Sequence, residues 1–219
     1  MDYSAGAVPA ATFLLYLVTD ARLSRGRSHL RIVEAAIRGG VTVVQYREKD
    51  PSTRRMIEEA LELRQLCQAA HIPFIVNDRL DVALAVDADG AHIGQDDMPA
   101  ALARGLLGRA KILGVSAGST EEARKAVDDG ADYIGASPVF STPTKPDAPP
   151  PLGIEGLRRI TRSVGIPVVA IGGINQGNAA AIMETGAAGI AVVSAIVTAE
   201  DVEAAARTLR AAIGEMRTR

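Results

Sequence analysis

Three polar side chains stand at alternate positions of one short segment, Gln45-Tyr46-Arg47-Glu48-Lys49. In an extended strand alternate side chains point to the same side, so Gln45, Arg47 and Lys49 would share one face. Two cations and an amide at the end of a strand suit the binding of a dianionic phosphate group. The pattern therefore indicates an anion site, although a solvated strand end would show the same residue types.

Acidic residues follow the next two apolar runs of the chain, Asp78 after one and Asp96-Asp97 after the other. Neighbouring strands lie about 4.8 Å apart, so acids at their ends can share one cation. Two carboxylates with few other protein ligands suit Mg²⁺, which keeps waters and takes further oxygens from a substrate phosphate. The alternative is that Asp78 or Asp96 caps the helix that follows it. Capping does not explain why acids would face the two cations.

A long irregular stretch over 140–153 holds five prolines and the polar run Ser141-Thr142-Pro143-Thr144-Lys145. Its length is unusual for a strand-to-helix connection and is typical of a lid or a substrate loop. Two threonine hydroxyls and an ammonium group, stiffened by proline, suit the recognition of an oxyanion. A polar surface loop without a ligand is the alternative.

A second anion region is indicated by Gly172-Gly173 and by Val193-Ser194, which follow the last two apolar runs. Glycine lets a ligand come close to backbone N–H groups. In a barrel of eight strands the loops after strands seven and eight often form a phosphate site.

The candidate residues include no evident general base and no evident nucleophile. Ser116 follows the fifth apolar run and could reach the site, but no His or Lys stands near it in the sequence. The three histidines, His29, His71 and His92, are predicted to be structural. Two anion regions and a metal, without a nucleophile, suit the displacement of pyrophosphate, in which cations stabilise the departing charge.

The elements that would position these residues alternate regularly along the chain. Eight short apolar runs are separated by eight helical patterns, and such alternation specifies a parallel sheet. We predict a single-domain (β/α)8 TIM barrel, with a doubly wound open sheet as the competing fold. Gly40, Gly90, Gly130 and Gly186 precede even-numbered strands and are expected to cap helices in the left-handed conformation. The predicted strands are Leu14–Val18, Thr42–Tyr46, Phe74–Val76, Ala91–Ile93, Lys111–Val115, Tyr133–Gly135, Val168–Ile171 and Gly189–Val193.

Composition bounds the partners and the compartment. The 219 residues carry 24 Lys and Arg against 26 Asp and Glu, a net charge of −2, so neither nucleic acid nor a membrane surface is an expected partner. The partners expected are small-molecule substrates, with a homo-oligomer left open. No run is long enough for a membrane span or an export signal. The one cysteine, Cys67, is read as a core filler in a reducing, cytoplasmic compartment. We expect a flexible tail over 1–11 and the barrel domain over 12–219.

The ordered motifs resemble those of the thiamine phosphate synthase family over about residues 14–215. They are Leu15-Tyr-Leu-Val-Thr-Asp20, Gln45-x-Arg47-x-Lys49, Asn77-Asp78, His92-Ile-Gly-Gln-Asp-Asp97, Gly114-Val-Ser116, Thr142-Pro-Thr-Lys145, Gly172-Gly173-Ile174 and Val193-Ser-Ala-Ile196. The resemblance implies a (β/α)8 barrel that joins hydroxymethylpyrimidine diphosphate to a thiazole phosphate, with Mg²⁺ as cofactor. The products would be thiamine phosphate and pyrophosphate. By the same resemblance the mechanism is dissociative: pyrophosphate leaves first, and the thiazole nitrogen captures the pyrimidine methyl cation.

The resemblance also implies a role for each matching residue. Asp78 and Asp97 would bind Mg²⁺, and Arg47, Lys49 and Lys145 would act in catalysis. The pyrimidine diphosphate would be held by Gln45, Tyr46, Arg47, Glu48, Lys49, Asn77, Ser116 and Lys145. The thiazole phosphate would be held by Thr142, Pro143, Thr144, Gly173, Val193 and Ser194.

Two positions depart from the family pattern. Ser141 stands where the family usually has proline, which could loosen that loop, and Gly118 stands where the family often has histidine. A sister family, the thiazole tautomerases, has a catalytic histidine at the position of Gly118 and lacks the two metal acids. Because this chain has Asp78 and Asp97 and no such histidine, the synthase is favoured. A non-catalytic sensor of thiamine precursors, which would need neither the acids nor Lys145, is the third alternative.

Overall fold

Eight short strands dominate the computed structural model, which describes residues 8–49, 51–142 and 149–214. Each strand pairs in parallel with the next along the chain, and the last pairs with the first, so the sheet is a closed barrel. The predicted (β/α)8 barrel is confirmed, and the open sheet is wrong. The strands are β1 (Leu15–Val18), β2 (Val43–Tyr46), β3 (Phe74–Asn77), β4 (Gly90–Ile93), β5 (Ile112–Ala117), β6 (Tyr133–Ala136), β7 (Val168–Ile171) and β8 (Gly189–Val192).

Helices connect the strands around the outside. Eight of them correspond to the eight helical patterns of the sequence, and one additional four-residue helix, directly after β8, is too short to show a period. Within the described ranges, none is long and apolar enough to cross a membrane. The helices are α1 (His29–Arg38), α2 (Thr53–Ala69), α3 (Leu80–Ala85), α4 (Ala100–Leu107), α5 (Thr120–Asp128), α6 (Gly153–Ser163), α7 (Ala179–Met183), α8 (Ser194–Val197) and α9 (Val202–Gly214).

Serine side chains define where three of these helices begin. The side chains of Ser28, Ser52 and Ser119 accept the N–H of the residue three positions later, at the starts of α1, α2 and α5. Such a cap satisfies one of the N–H groups that has no partner within the helix. Cys67, on the inner face of α2, is fully buried, and burial raises the pKa of its thiol to about 12, so the predicted core role is confirmed.

The base of the barrel is closed by the start of the chain. Val8 is buried, and a 3₁₀ helix over Ala10–Phe13 brings the Phe13 ring to 4.5 Å from that of Tyr133. Of the residues 8–11, which belong to the predicted flexible tail, Val8 is packed inside the barrel, whereas Pro9, Ala10 and Ala11 are exposed. The rest of that predicted tail, residues 1–7, lies outside the described residues.

Strand alternation divides the core into two parts. Outward-facing strand residues pack against the helices in one large cluster. Inward-facing residues form a second, smaller cluster inside the barrel: Val8, Phe13, Tyr16, Val18, Val43, Ile75, Ile112, Tyr133, Val169 and Ala191. Two of the largest members, Tyr16 and Tyr133, end in hydroxyl groups, so the interior is polar at that level.

Glycines inside the barrel make room for large side chains. A Cβ at Gly114 would overlap the Tyr133 ring, and one at Gly135 would lie 2.9 Å from Cε1 of His92. Gly90 has a different role within β4: a Cβ there would overlap the backbone oxygen of Ile112 on β5, and its φ is not positive. The left-handed cap predicted for Gly90 is therefore wrong.

The other three glycines predicted as caps are Gly40, Gly130 and Gly186. They have φ values of 99°, 93° and 90°, so the left-handed conformation expected after a helix is confirmed at these positions.

A pair of glycine-to-alanine variants tests the fit inside the barrel. Gly114→Ala should lower the free energy of unfolding by about 1–3 kcal/mol, because the added methyl overpacks a filled interior. Gly105→Ala, on an exposed face of α4 with open space around it, should raise it by about 0.5–1 kcal/mol. Urea unfolding of both variants measures the two changes. Equal stability of the variants would contradict the packing argument.

Candidate active site

A cavity of about 260 Å³ opens at the carboxyl ends of the strands. Every strand contributes to its lining, either with its last residues or with the loop that follows. This is the end at which active sites of (β/α)8 barrels are found. Convergence of eight strand ends brings together residues that are far apart in the sequence.

The three alternate residues of the first predicted anion site, Gln45, Arg47 and Lys49, all line the cavity. Their backbone is the end of β2 and the residues directly after it. The shared face predicted from the alternation is therefore present in the structure.

The two residues between them, Tyr46 and Glu48, do not line the cavity with their side chains. The Tyr46 hydroxyl donates to Glu59 Oε2 at 2.9 Å on α2, and Glu48 Oε1 accepts the N–H of Ala21 at 3.0 Å. The family resemblance implies that both contact the pyrimidine diphosphate. The alternation that turns their neighbours inward turns these side chains outward, so the structure does not bring them to the site.

Arg47 is held by two residues that directly follow β1. Its N–H donates to Thr19 Oγ1 at 3.0 Å, and its guanidinium contacts Asp20 Oδ2 at 3.0 Å. The other oxygen of Asp20 accepts the N–H of Leu23, so the carboxylate is itself fixed. The sequence motifs predict no role for Thr19 or Asp20, although their position directly after a strand is a signal that could have found them.

Two carboxylates face each other beside Lys49. Lys49 Nζ lies 3.2 Å from Asp78 Oδ2, and Asp97 Oδ2 accepts the N–H of Gly94 at 2.6 Å. Burial raises the pKa of Asp97, and so does the nearby carboxylate of Asp78. A cation between the two acids would relieve this repulsion, so the residues present fit Mg²⁺.

Neither Asp78 nor Asp96 caps a helix, so the alternative role for these two acids is wrong. The residues at the starts of α3 and α4 are Arg79 and Pro99, and neither makes a side-chain cap. Within the described ranges no group of three or more His, Cys, Asp or Glu side chains could hold a metal. A metal here would therefore depend on two carboxylates, with the other oxygens coming from water and substrate.

A chain of buried hydrogen bonds forms the floor of the cavity. Gln45 Nε2 donates to Tyr16 Oη at 3.0 Å, and Tyr16 Oη lies 2.8 Å from Tyr133 Oη. His92 bridges onwards, with Nδ1 2.9 Å from Tyr133 Oη and Nε2 2.9 Å from Ser116 Oγ. Burial lowers the pKa of His92 to about 4 and raises the pKa of both tyrosines, so all three side chains are neutral near pH 7.

The histidine and the tyrosines of this floor were not predicted as site residues. His92 lies inside β4, as expected, but its ring contacts the candidate ligand-binding residue Ser116. Tyr16 and Tyr133 line the cavity from inward-facing positions of β1 and β6. The sequence shows that each is a strand residue with a hydroxyl group. That hydroxyl indicates a site residue only when it is known which strand residues face the barrel interior.

The opposite side of the cavity is built from backbone that needs glycine. Gly172 and Gly173 have φ values of 105° and 65°. A Cβ at Gly173 would lie 2.7 Å from both Phe140 Cβ and the backbone oxygen of Ser141. The loops after β6 and β7 are therefore packed together, and a larger residue at Gly173 would displace the loop before it met a ligand.

Some of the remaining predicted residues line the cavity, and the others lie in the part of the chain that is not described. Val193 and Ser194 line the cavity where α8 begins, and Asn77, Ser116 and Thr142 line it as well. Pro143, Thr144 and Lys145 lie outside the described residues.

Comparison with known proteins agrees with this geometry. The family model described as thiamine monophosphate synthase matches residues 15–196. The chain is 68% identical to the thiamine-phosphate synthase of Chloroflexus aurantiacus over 91% of this chain and 92% of the relative. It is 53% identical to the Moorella thermoacetica enzyme of the same name over 93% and 97%. The solved thiamine phosphate pyrophosphorylase of Pyrococcus furiosus superposes with a TM-score of 0.88 at 47% identity, over 94% of this chain and 98% of that one.

The neutrality of His92 gives a prediction for acid stability. The folded pKa of about 4 lies below the value of about 6.5 expected in the unfolded chain. Between these values only the unfolded chain binds the proton, so stability falls as the pH drops through this window. From pH 7 to pH 4.5 the loss attributable to His92 should be about 2–3 kcal/mol.

His92→Gln removes this titration and keeps a polar side chain. The difference in unfolding free energy between wild type and variant, measured in urea, should shrink by that amount as the pH falls from 7 to 4.5. A difference that does not depend on pH would show that the pKa of His92 in the folded protein is not lowered from its value in the unfolded chain.

Proposed function

The chain belongs to the thiamine monophosphate synthase family, and from that membership we propose how its cavity carries out the reaction. Its activity is that of a thiamine-phosphate synthase, a transferase of thiamine biosynthesis. We propose that hydroxymethylpyrimidine diphosphate and a thiazole phosphate condense in this cavity and release pyrophosphate. The observation that carries the proposal is one cavity with Arg47, Lys49 and two facing carboxylates on one side and glycine-rich phosphate loops on the other.

The diphosphate end is assigned to the side formed by β2, β3 and β4. Arg47 and Lys49 offer positive charge there, and Asp20 holds the guanidinium in place before a ligand arrives. Asp78 and Asp97 would hold Mg²⁺, which when bound supplies charge neutralisation to phosphate oxygens. Lys145 is a third cation proposed from the resemblance alone.

The reaction needs the bond between the pyrimidine methylene carbon and the diphosphate oxygen to break, with the electron pair leaving on pyrophosphate. Arg47 and Lys49 would stabilise that charge as it develops, which lowers the barrier more than it tightens substrate binding. The lone pair of the thiazole nitrogen then forms the new carbon–nitrogen bond. No protein nucleophile takes part in this scheme, and the one cysteine, Cys67, lies in the outer core.

The thiazole phosphate is assigned to the loops after β7 and β8. Gly173 exposes backbone, and Ser194 stands at the start of the short helix α8. A phosphate site built from these two loops and a short extra helix recurs among (β/α)8 barrels. Thr142 reaches the same cavity from the loop after β6.

The two alternative functions are less well supported. A tautomerase of the sister family would need a histidine at the position of Gly118. In this chain the backbone N–H of Gly118 donates to Glu122 Oε2 at 2.7 Å. Gly118 is not among the cavity-lining residues. A sensor without catalysis would have no use for the acid pair Asp78 and Asp97, which this chain keeps.

The cofactor, partners and compartment remain part of the proposal. Mg²⁺ is proposed from the facing carboxylates, and small-molecule substrates from the size and charge of the cavity. A cytoplasmic location is proposed from the single unpaired and buried thiol of Cys67. A homo-oligomer is left open.

Release of pyrophosphate with both substrates, measured with and without Mg²⁺, tests the function and its metal. In the same assay Asp78→Asn and Asp97→Asn should each lower kcat by about 100-fold or more, because the charge that holds the cation is lost. Asp128→Asn, on the exposed face of α5, is the matched control and should leave the rate unchanged. If the site variants turn over normally in limiting Mg²⁺, the metal assignment is wrong.

Ser194→Ala tests whether the two anion regions are separate. Loss of a hydrogen bond to a charged phosphate should raise the KM for the thiazole phosphate by about 10-fold or more. The KM for the pyrimidine diphosphate should change little. Ser163→Ala on α6 serves as the control for a serine outside the cavity. Equal increases in both KM values would argue against two distinct phosphate sites.

A further inference from the structure

The hydrogen bonds in the floor of the cavity all run in one direction from donor to acceptor. That direction follows from the number of protons that each group carries. The chain begins at Gln45 on β2 and ends at Ser116 on β5, and all five of its residues border the cavity. The three members between them, Tyr16, Tyr133 and His92, have relative exposures of 1%, 1% and 8%. Water therefore has little access to the inner links, and each polar atom depends on its neighbour in the chain.

The first links are set by the amide of Gln45. Its Nε2 can only donate, so Tyr16 Oη accepts that hydrogen bond. A tyrosine hydroxyl has one hydrogen, and among the described residues the oxygen that can accept it from Tyr16 is Tyr133 Oη. Tyr16 therefore donates to Tyr133.

The direction passes through the histidine in the same way. Because Tyr133 accepts from Tyr16, its own hydrogen points to Nδ1 of His92. A neutral imidazole carries one proton, which must then sit on Nε2 and be donated to Ser116 Oγ. Within the part of the chain that the structure describes, the hydrogen of the Ser116 hydroxyl is then left for a ligand in the cavity.

We propose that Tyr16, Tyr133 and His92 are positioning residues that make Ser116 a hydrogen-bond donor and leave the carbonyl oxygen of Gln45 as an acceptor. The two roles are coupled, because turning the Gln45 amide over would reverse every link and exchange donor and acceptor at the two ends. The cavity floor thus always presents one donor and one acceptor, in an order held by buried neighbours.

The identity of the ligand in this inference rests on the proposed function. An aminopyrimidine ring carries both an acceptor, a ring nitrogen, and a donor, its amine. These match the Ser116 hydroxyl and the Gln45 oxygen respectively. A pyrimidine with a carbonyl in place of the amine would set an acceptor against an acceptor, and sites built to bond a polar group reject such analogues strongly.

The tautomer of His92 tests the direction of the chain without any substrate. The protein, labelled with ¹⁵N in its histidine rings, has three imidazoles, and the His92 signals are assigned by their loss in His92→Gln. Long-range ¹H–¹⁵N correlation at pH 7.5 should show a protonated Nε2 and an unprotonated Nδ1. A proton on Nδ1, or on both nitrogens, would overturn the proposal. Because no turnover is measured, this result stands whether or not the proposed reaction does.

Kinetics test whether the inner residues act through Ser116. Tyr133→Phe removes the donor to His92 and should raise the KM for the pyrimidine diphosphate about 10-fold, with little change in kcat or in the KM for the thiazole phosphate. Ser116→Ala should raise the same KM. The double variant should have the same KM for the pyrimidine diphosphate as Ser116→Ala alone, because the hydroxyl that Tyr133 positions is already absent.

The control for loss of a buried hydroxyl is Thr185→Val, whose hydroxyl donates to Ile182 on the outer layer. It should leave both KM values unchanged. Additive effects of Tyr133→Phe and Ser116→Ala would show that Tyr133 acts independently and would overturn the positioning role. If Tyr133→Phe does not fold, the tautomer of His92 in the wild-type protein still decides the proposal.

Discussion

Closure of eight strands into a barrel decides where the functional side chains of this chain point. Each strand has only four to six residues, and its alternate side chains must face either the interior or the helices. All eight strands end on the same rim, so the residue at or just after each end is delivered to one cavity. Gln45, Arg47 and Lys49 reach the cavity for this reason, and Tyr46 and Glu48 are turned away for the same reason.

The interior that closure creates is too narrow for a large side chain from every strand. Glycines on β5 and β6 leave space that Tyr133 and His92 fill, and Phe13 fills the space at the base. Because the two large residues are polar at their tips, filling the barrel also builds the hydrogen-bonded floor under the ligand. Packing and recognition are therefore carried by the same side chains.

The charges of the site depend on this floor and on the loops around it. Asp20 restrains Arg47, while Lys49 lies against one of two acids that repel each other. As a source of stability alone this arrangement would be unfavourable, because burial raises the pKa of Asp97. The acid also gains no helix cap in return. It is consistent with residues kept ready for a cation and a polyphosphate rather than with a device for stability.

The sequence by itself determined the fold class, the strand and helix positions and most of the polar residues at the rim. These follow from local periodicity and from the position of a residue after a strand, which are properties of neighbours in the chain. It did not reveal the packing of Val8 and Phe13 at the base of the barrel, the strand role of Gly90, the support of Arg47 by Asp20, or the floor that joins Tyr16, Tyr133 and His92. These features depend on contacts between residues that lie from 22 positions apart, as Gly90 and Ile112 do, to 120 apart, as Phe13 and Tyr133 do. Only closure of the barrel brings such residues into contact. An inward-facing strand side chain has a partner only when the strands on the opposite side of the barrel are in place.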